Sequence, residues 1–212
     1  MTTDDVEVIE KTTPFQGYFR IDRYRLRHRQ HAGGMGAEQT REIFERGHAV
    51  TLVPYDPVAD RVVLIEQFRP GAFAARQSGW FADDFSPWLI ETVAGIIDPG
   101  ESPADVAIRE AVEEAGCEVT DLVQALHYLA TPGGSTESMF VYIGRIDSSG
   151  VGGVHGLADE GEDIRVFTVP TAEAFAMVDD GRIINAMTLI AINWLRSHLD
   201  EVHRQWGIAP SG

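Results

Sequence analysis

Apolar residues along this chain follow two rhythms, one typical of strands and one of helices. Residues 5–10, containing VEVIE, and 17–29, containing YFRIDRYRLRHR, alternate as half-exposed strands do and predict a small antiparallel sheet whose polar faces are rich in arginine. After the turn-prone HAGGMG, the stretch EIFERGHAVTLVPYD reads as strand, turn and strand. VVLIEQF at 62–68 is too continuously apolar to leave either face in water, so a strand covered on both sides is expected there. Residues 70–87 hold glycines, two prolines, Trp80, Phe81 and an acidic pair, and read as a long loop of the kind that often carries function. WLIETVAG at 88–95, LVQALHYLA, SMFVYIGRI and IRVFTV predict further strands, while TAEAFAMVDDG and NAMTLIAINWLRSHLDEVHRQW place apolar residues near helical period. Strands interrupted by two or three helices predict a mixed sheet packed between helices.

Between these strands lies GIIDPGESPADVAIREAVEEAGC, residues 95–117, whose local chemistry specifies one helix. Ser102 suits the N-cap, Pro103 the first helical position and Asp105 the positive end of the dipole, and Gly116 supplies the stop. Glu110 stands three and four residues from Glu113 and Glu114, so the three acids are neighbours on the surface of the coil. Like charges at that spacing oppose the helix by roughly 0.2–0.5 kcal/mol per pair, a conflict that a divalent cation removes. Hard cations such as magnesium take carboxylate oxygens and keep several waters, which leaves room to bridge to phosphates. Arg109 is four residues from both Asp105 and Glu113, and is expected to pair with them and orient the acids rather than touch substrate. A solvated acidic face is the plain alternative.

The segment resembles the signature of the Nudix hydrolases, G-x5-E-x7-R-E-U-x-E-E-x-G-U, with Gly95, Glu101, Arg109, Glu110, Glu113, Glu114 and Gly116 at the fixed positions. Its apolar positions hold Ala111 and Cys117, where the family usually carries bulkier groups. Pro132 lies 16 residues beyond Gly116, and together with REIFERGHAV, LIEQFRP and HGLADEGEDI it resembles the bacterial ADP-ribose pyrophosphatase subfamily over nearly the whole chain. The resemblance implies an α/β/α sandwich with a mixed sheet, residues 46–212, preceded by an N-terminal β-sheet subdomain, residues 1–45, that exchanges contacts across a homodimer. It also implies a magnesium site, with manganese as an alternative, built from the carbonyl of Ala94 and from Glu110, Glu113, Glu114 and Glu162. Glu160 is the implied catalytic base, with Glu113 as its rival, and Glu101 and Arg109 support the helix.

Other candidates keep two readings each. Glu160, Glu162 and Asp163 alternate with Gly161 on a segment able to fold over a substrate, or form only an acidic surface loop. Arg69 is expected to grip a phosphate bidentately or to make a surface salt bridge. Tyr18 and Arg41 match positions that contact adenine from the neighbouring subunit in resembling dimers, or are an ordinary core aromatic and surface arginine. Pro132 and Gly133 mark the substrate side of a turn or only the turn itself. Glu137 is a candidate for reaching substrate or metal. His48, His127 and His155 have no metal-ligand spacing and are expected to be structural.

Composition narrows the partners. With 33 acidic and 17 basic residues the formal net charge is −16, a field that disfavours nucleic acid and anionic membranes, so an anionic substrate requires local cations. One cysteine makes no internal disulfide, and no Cys/His zinc spacing or P-loop occurs. The acidic, polar N-terminus and the lack of a long apolar run predict a soluble cytoplasmic protein. The expected function is magnesium-dependent hydrolysis of ADP-ribose to AMP and ribose 5-phosphate. GDP-mannose or UDP-glucose is the alternative substrate, and a silent nucleotide-sugar sensor is the alternative from another class.

Overall fold

Strand β4 (His48–Asp56) is buried at every residue after its first, as a strand covered on both faces must be. In this computed structural model, which describes residues 1–157 and 161–208, alternation sends its side chains to two different helix layers. Val50 and Leu52 enter a core with Val106, Ala107, Ala111 and Ala115 of helix α2 (Pro103–Ala115). On the opposite face, the Tyr55 hydroxyl lies 2.8 Å from His203 Nε2 in helix α4 (Ala186–Gln205), and its ring stacks on Trp206. Helix α3 (Thr171–Asp179) packs beside α4. The architecture is therefore helix, sheet, helix.

The sheet has the order β10-β11-β5-β4-β9-β8, from β10 (Gly153–His155), β11 (Ile164–Pro170), β5 (Arg61–Phe68), β9 (Ser138–Arg145) and β8 (Asp121–Leu129). β11, β5 and β4 are antiparallel neighbours. Ile146 N–H donates to the Tyr55 carbonyl at 3.0 Å just beyond the end of β9, so β4 and β9 run the same way and the sheet is mixed.

Two expectations need correction, and one strand was unread. WLIETVAG is two strands, β6 (Trp88–Glu91) on β5 and β7 (Val93–Ile96) on β4, because Thr92 leaves the ladder and gives its N–H to Thr188 Oγ1 at 3.0 Å. The supposed loop 70–87 begins with a short helix, α1 (Pro70–Arg76): Pro70 occupies the first turn and the alanines that follow favour the coil. β10 was hidden by its three-residue length.

The chain divides into two compact units, Ala49–His127 with Met139–Gly212, and Met1–His48 with Tyr128–Ser138. The latter contains an antiparallel sheet of β1 (Val6–Gln16), β2 (Arg20–His28) and β3 (Gln39–Glu45). β1 extends six residues past the predicted strand and is exposed throughout, so burial contributes no periodic signal to read. Its ladder carries cross-strand pairs, Arg27 with Glu7 at 2.7 Å and Arg25 with Glu10 at 3.0 Å, which solvent screens. Val6, Val8, Ile9 and Phe15 on β1 remain exposed.

Candidate active site

Helix α2 starts and stops where its sequence dictates, with one change at the cap. Pro103 opens it and Gly116 closes it in the left-handed conformation, φ +62°. Gly116 N–H donates to the Val112 carbonyl at 3.0 Å, the bond of an αL stop, and Cys117 N–H reaches the Ala111 carbonyl at 2.9 Å. Ser102 stands at the N-cap position without a side-chain cap bond. Ala111 and Cys117, the small residues at the apolar positions, are both buried. Gly95 is required for a steric reason, since a Cβ there would collide with the Glu110 side chain passing over it.

Arg109 pairs with three other acids rather than with Asp105. Its guanidinium lies 2.8 Å from Glu113, 3.0 Å from Glu110 and 3.8 Å from Glu101, in place of the expected pairing with Asp105. Glu110 and Glu114 sit much deeper. Burial pushes the Glu114 carboxyl up to about 8, opposed by the Ala94 N–H bond at 2.9 Å and by Arg69, and reinforced by Glu110 and Glu162. Burial likewise pushes Glu110 up to about 7, with Arg109 opposing and Glu113 and Glu162 adding to the rise. Glu110, Glu114 and Glu162 thus stand in one another's fields, although they come from a helix and from a distant segment.

Glu162 is held at the foot of its segment by a local clasp. Its Oε2 accepts from Leu157 N–H at 3.0 Å, and its own N–H donates to the Leu157 carbonyl at 3.2 Å. Gly156 makes the clasp possible: its φ is +101°, and a Cβ would lie 2.7 Å from the Glu162 Cβ. His155 beside it packs on Gly116, where a Cβ would meet its ring at 2.7 Å, and its Nε2 lies 3.0 Å from the Gly152 carbonyl. That contact gives the histidine a packing role. Glu160 lies outside the described residues.

Arg69 makes its ion pair with a residue that sequence reading passed over. Glu91 on β6 is fully buried and accepts from Arg69 Nε at 3.0 Å and Nη2 at 2.7 Å, while Asn185 Nδ2 donates to it at 2.8 Å. Removing one partner of such a pair strands a buried charge, at a cost of about 3–5 kcal/mol. The available signal was weak, since only the β5–β6 register, Ile65 opposite Glu91, brings the acid next to Arg69. Glu114 and Glu162 also act on the Arg69 guanidinium, raising its pKa together with Glu91 against the opposing effect of burial.

The remaining candidates belong to the unit that holds the small sheet. Tyr18 is 87% exposed, with its ring edge-on to Phe19 at 4.8 Å. Arg41 is exposed on β3 and bonds the Thr40 carbonyl at 2.8 Å. Pro132 and Gly133 form a turn in which Gly134 N–H donates to the Thr131 carbonyl at 3.1 Å. Glu137 lies 3.8 Å from Arg46, and its charge adds to the burial that pushes the Tyr128 hydroxyl up to about 12.

Residues 46–186, more than half of the chain, match the NUDIX domain family. The chain belongs to the Nudix family. It is 47% identical over 203 residues to the ADP-ribose pyrophosphatase of Escherichia coli K12, covering 96% of this chain and 93% of that protein. It is 34% identical over 157 residues to the GDP-mannose pyrophosphatase of Citrobacter koseri, covering 74% and 78%. A crystal structure of an ADP compounds hydrolase superposes with TM-score 0.71 at 21% identity, covering 94% of this chain and 97% of that one, a likeness of fold. The protein is thus a Nudix pyrophosphohydrolase.

The Nudix helix fits a hard divalent cation on its own chemistry. Glu114 is nearly fully buried and, among the described residues, accepts one backbone N–H and makes no direct ion pair, so a cation beside it would compensate a buried charge. The donors around it are all oxygens, the set that magnesium and manganese prefer. Among the described residues no three acidic, histidine or cysteine side chains are yet gathered around one point. The reason is visible in their present partners: Glu113 turns to Arg109, Glu114 to Ala94 N–H and Glu162 to Leu157 N–H. No described helix is long and apolar enough to cross a membrane.

Proposed function

We propose that this enzyme hydrolyses the diphosphate of ADP-ribose to AMP and ribose 5-phosphate with magnesium, or manganese in its place. The observation that carries the reading is the Nudix helix set against β7, where Glu110 passes over Gly95 and Glu114 accepts from the Ala94 N–H, in a chain 47% identical to an ADP-ribose pyrophosphatase. Glu110, Glu113, Glu114, Glu162 and the Ala94 carbonyl would hold the cation. Bound there, it would neutralise the diphosphate and acidify a water. Arg109 keeps Glu113 in line along the helix. Arg69 grips a phosphate, and Glu160 takes the proton of the attacking water, whose oxygen adds to one phosphorus as the bridging P–O bond breaks.

The dimer is part of the same proposal. Val6, Val8, Ile9 and Phe15 give β1 apolar side chains that a second copy would cover, and Tyr18 and Arg41 would then reach adenine across the two-fold axis. Pro132, Gly133 and Glu137 belong to the substrate side of the same reading, as does a cytoplasmic setting. A second reading, GDP-mannose as substrate, is favoured by the 34% identical relative and by the exposed Trp80 after α1. Purified protein with magnesium should release phosphomonoester from ADP-ribose faster than from GDP-mannose or UDP-glucose. Faster release from GDP-mannose would transfer the assignment to that sugar, and binding without turnover would make the protein a sensor.

A further inference from the structure

Arg69 is fixed at three points before any ligand arrives. Its backbone N–H donates to the Pro87 carbonyl at 2.9 Å, and its carbonyl accepts from Phe73 N–H at 3.0 Å as α1 begins. Its side chain is held through Nε and Nη2, the side-on edge of the guanidinium, by the two oxygens of Glu91. A guanidinium is planar and carries five N–H donors, so an anion on its side-on edge leaves one hydrogen of Nη1 and one of Nη2 on the end-on edge, with the second Nη1 hydrogen facing the Cδ side. Among the described residues no acceptor bonds Nη1, and the guanidinium is partly exposed.

Glu91 is itself held. Asn185 divides its amide between two tasks: Oδ1 caps α4 by accepting from Met187 N–H at 3.0 Å, and Nδ2 donates to Glu91 at 2.8 Å. A rigid coil therefore fixes the carboxylate, the carboxylate fixes the plane of the guanidinium, and the acids that influence that guanidinium include Glu114 and Glu162 of the candidate metal site.

We propose that Glu91 is a positioning residue, which with Asn185 orients the Arg69 guanidinium so that its end-on edge meets the diphosphate of a nucleoside diphosphate sugar. The inference rests on the reading of the chain as a diphosphate hydrolase. Glu91 does not touch substrate. It withdraws rotational freedom from Arg69, so substrate binding does not have to order that side chain.

Steady-state kinetics of the full-length enzyme with magnesium and ADP-ribose test this through Glu91→Gln, Arg69→Lys, their double variant and Asn185→Ser, each checked by thermal melting. Glu91→Gln and Arg69→Lys should each raise KM about tenfold, with kcat changed by less than about threefold. The double variant should be no worse than the poorer single variant, because a guanidinium that is gone has nothing left to orient. Asn185→Ser keeps a capping oxygen but removes the donor to Glu91, and should raise KM by about two- to threefold. It also carries the test if Glu91→Gln does not fold. Multiplicative KM effects in the double variant, or losses that follow melting temperature and fall on kcat, overturn the inference while leaving the hydrolase reading intact. A wild-type enzyme that turns over no nucleoside diphosphate sugar overturns both.

Discussion

Glu114 stands on a helix whose inner residues Val106, Ala107, Ala111 and Ala115 are all in the core, whereas Glu162 is held by two hydrogen bonds to Leu157 and a glycine. The first acid cannot move without repacking the sheet. The second can leave its clasp for the cost of a few exposed polar contacts. The difference is one of anchoring, and under the proposed function it divides the labour: the Nudix helix, set by steric fit, fixes where a cation would sit, and Glu162 is held only by bonds that are easily exchanged.

The largest expected effect comes from breaking the rigid side. Glu114→Gln keeps the shape and should lower both metal affinity and turnover by about 10³-fold, the scale of losing one charge aimed at the reacting centre. Manganese titration by calorimetry beside initial rates checks the pair. Glu160→Gln should reduce kcat by about 10²-fold, within the range for a positioned general base, and leave metal affinity unchanged. Equal and near-normal turnover in both would reject the assignments. Gly156→Ala then probes the hinge: the left-handed backbone and the contact with Glu162 should cost about tenfold in kcat/KM, with a small change in melting temperature.

Much of this contrast was legible in the sequence, for reasons that differ along the chain. Glu110 and Gly116 were readable because their spacing is local, one coil and one left-handed stop, whereas Gly95 was marked only by the resemblance and its close approach to Glu110 is visible only in the structure. β4 and β5 were readable because burial on both faces leaves continuous apolar runs. Glu91 was not, since a buried acid on a strand acquires its meaning only from the strand and helix beside it. Nor was α1, where Pro70 and Gly71 look like a loop although the proline is opening a helix.

The smallest predicted effect is one of pH. Folding raises the Glu114 carboxyl from 4.5 to about 8, so the folded chain holds that proton more tightly than the unfolded one. The resulting stabilisation is complete below the unfolded value and is lost as pH rises towards about 8. Without metal, the melting temperature should therefore fall more steeply with rising pH in the wild type than in Glu114→Gln, by a few degrees per pH unit at about 2–4 °C per kcal/mol. Saturating magnesium should narrow the gap, because a cation compensates the ionised carboxylate. Parallel melting curves with and without metal would remove the electrostatic basis of the comparison.

The central claim, that Glu110 and Glu114 of a close-packed helix and the distant Glu162 meet around a cation on a diphosphate, is tested most directly by crystallography. Crystals grown with manganese and a non-hydrolysable ADP-ribose analogue should give anomalous density between Glu110, Glu114 and Glu162, with oxygens at about 2.0–2.3 Å and the analogue's phosphates on its far side. Analogue bound with those three carboxylates turned elsewhere, and no ion between them, would contradict it.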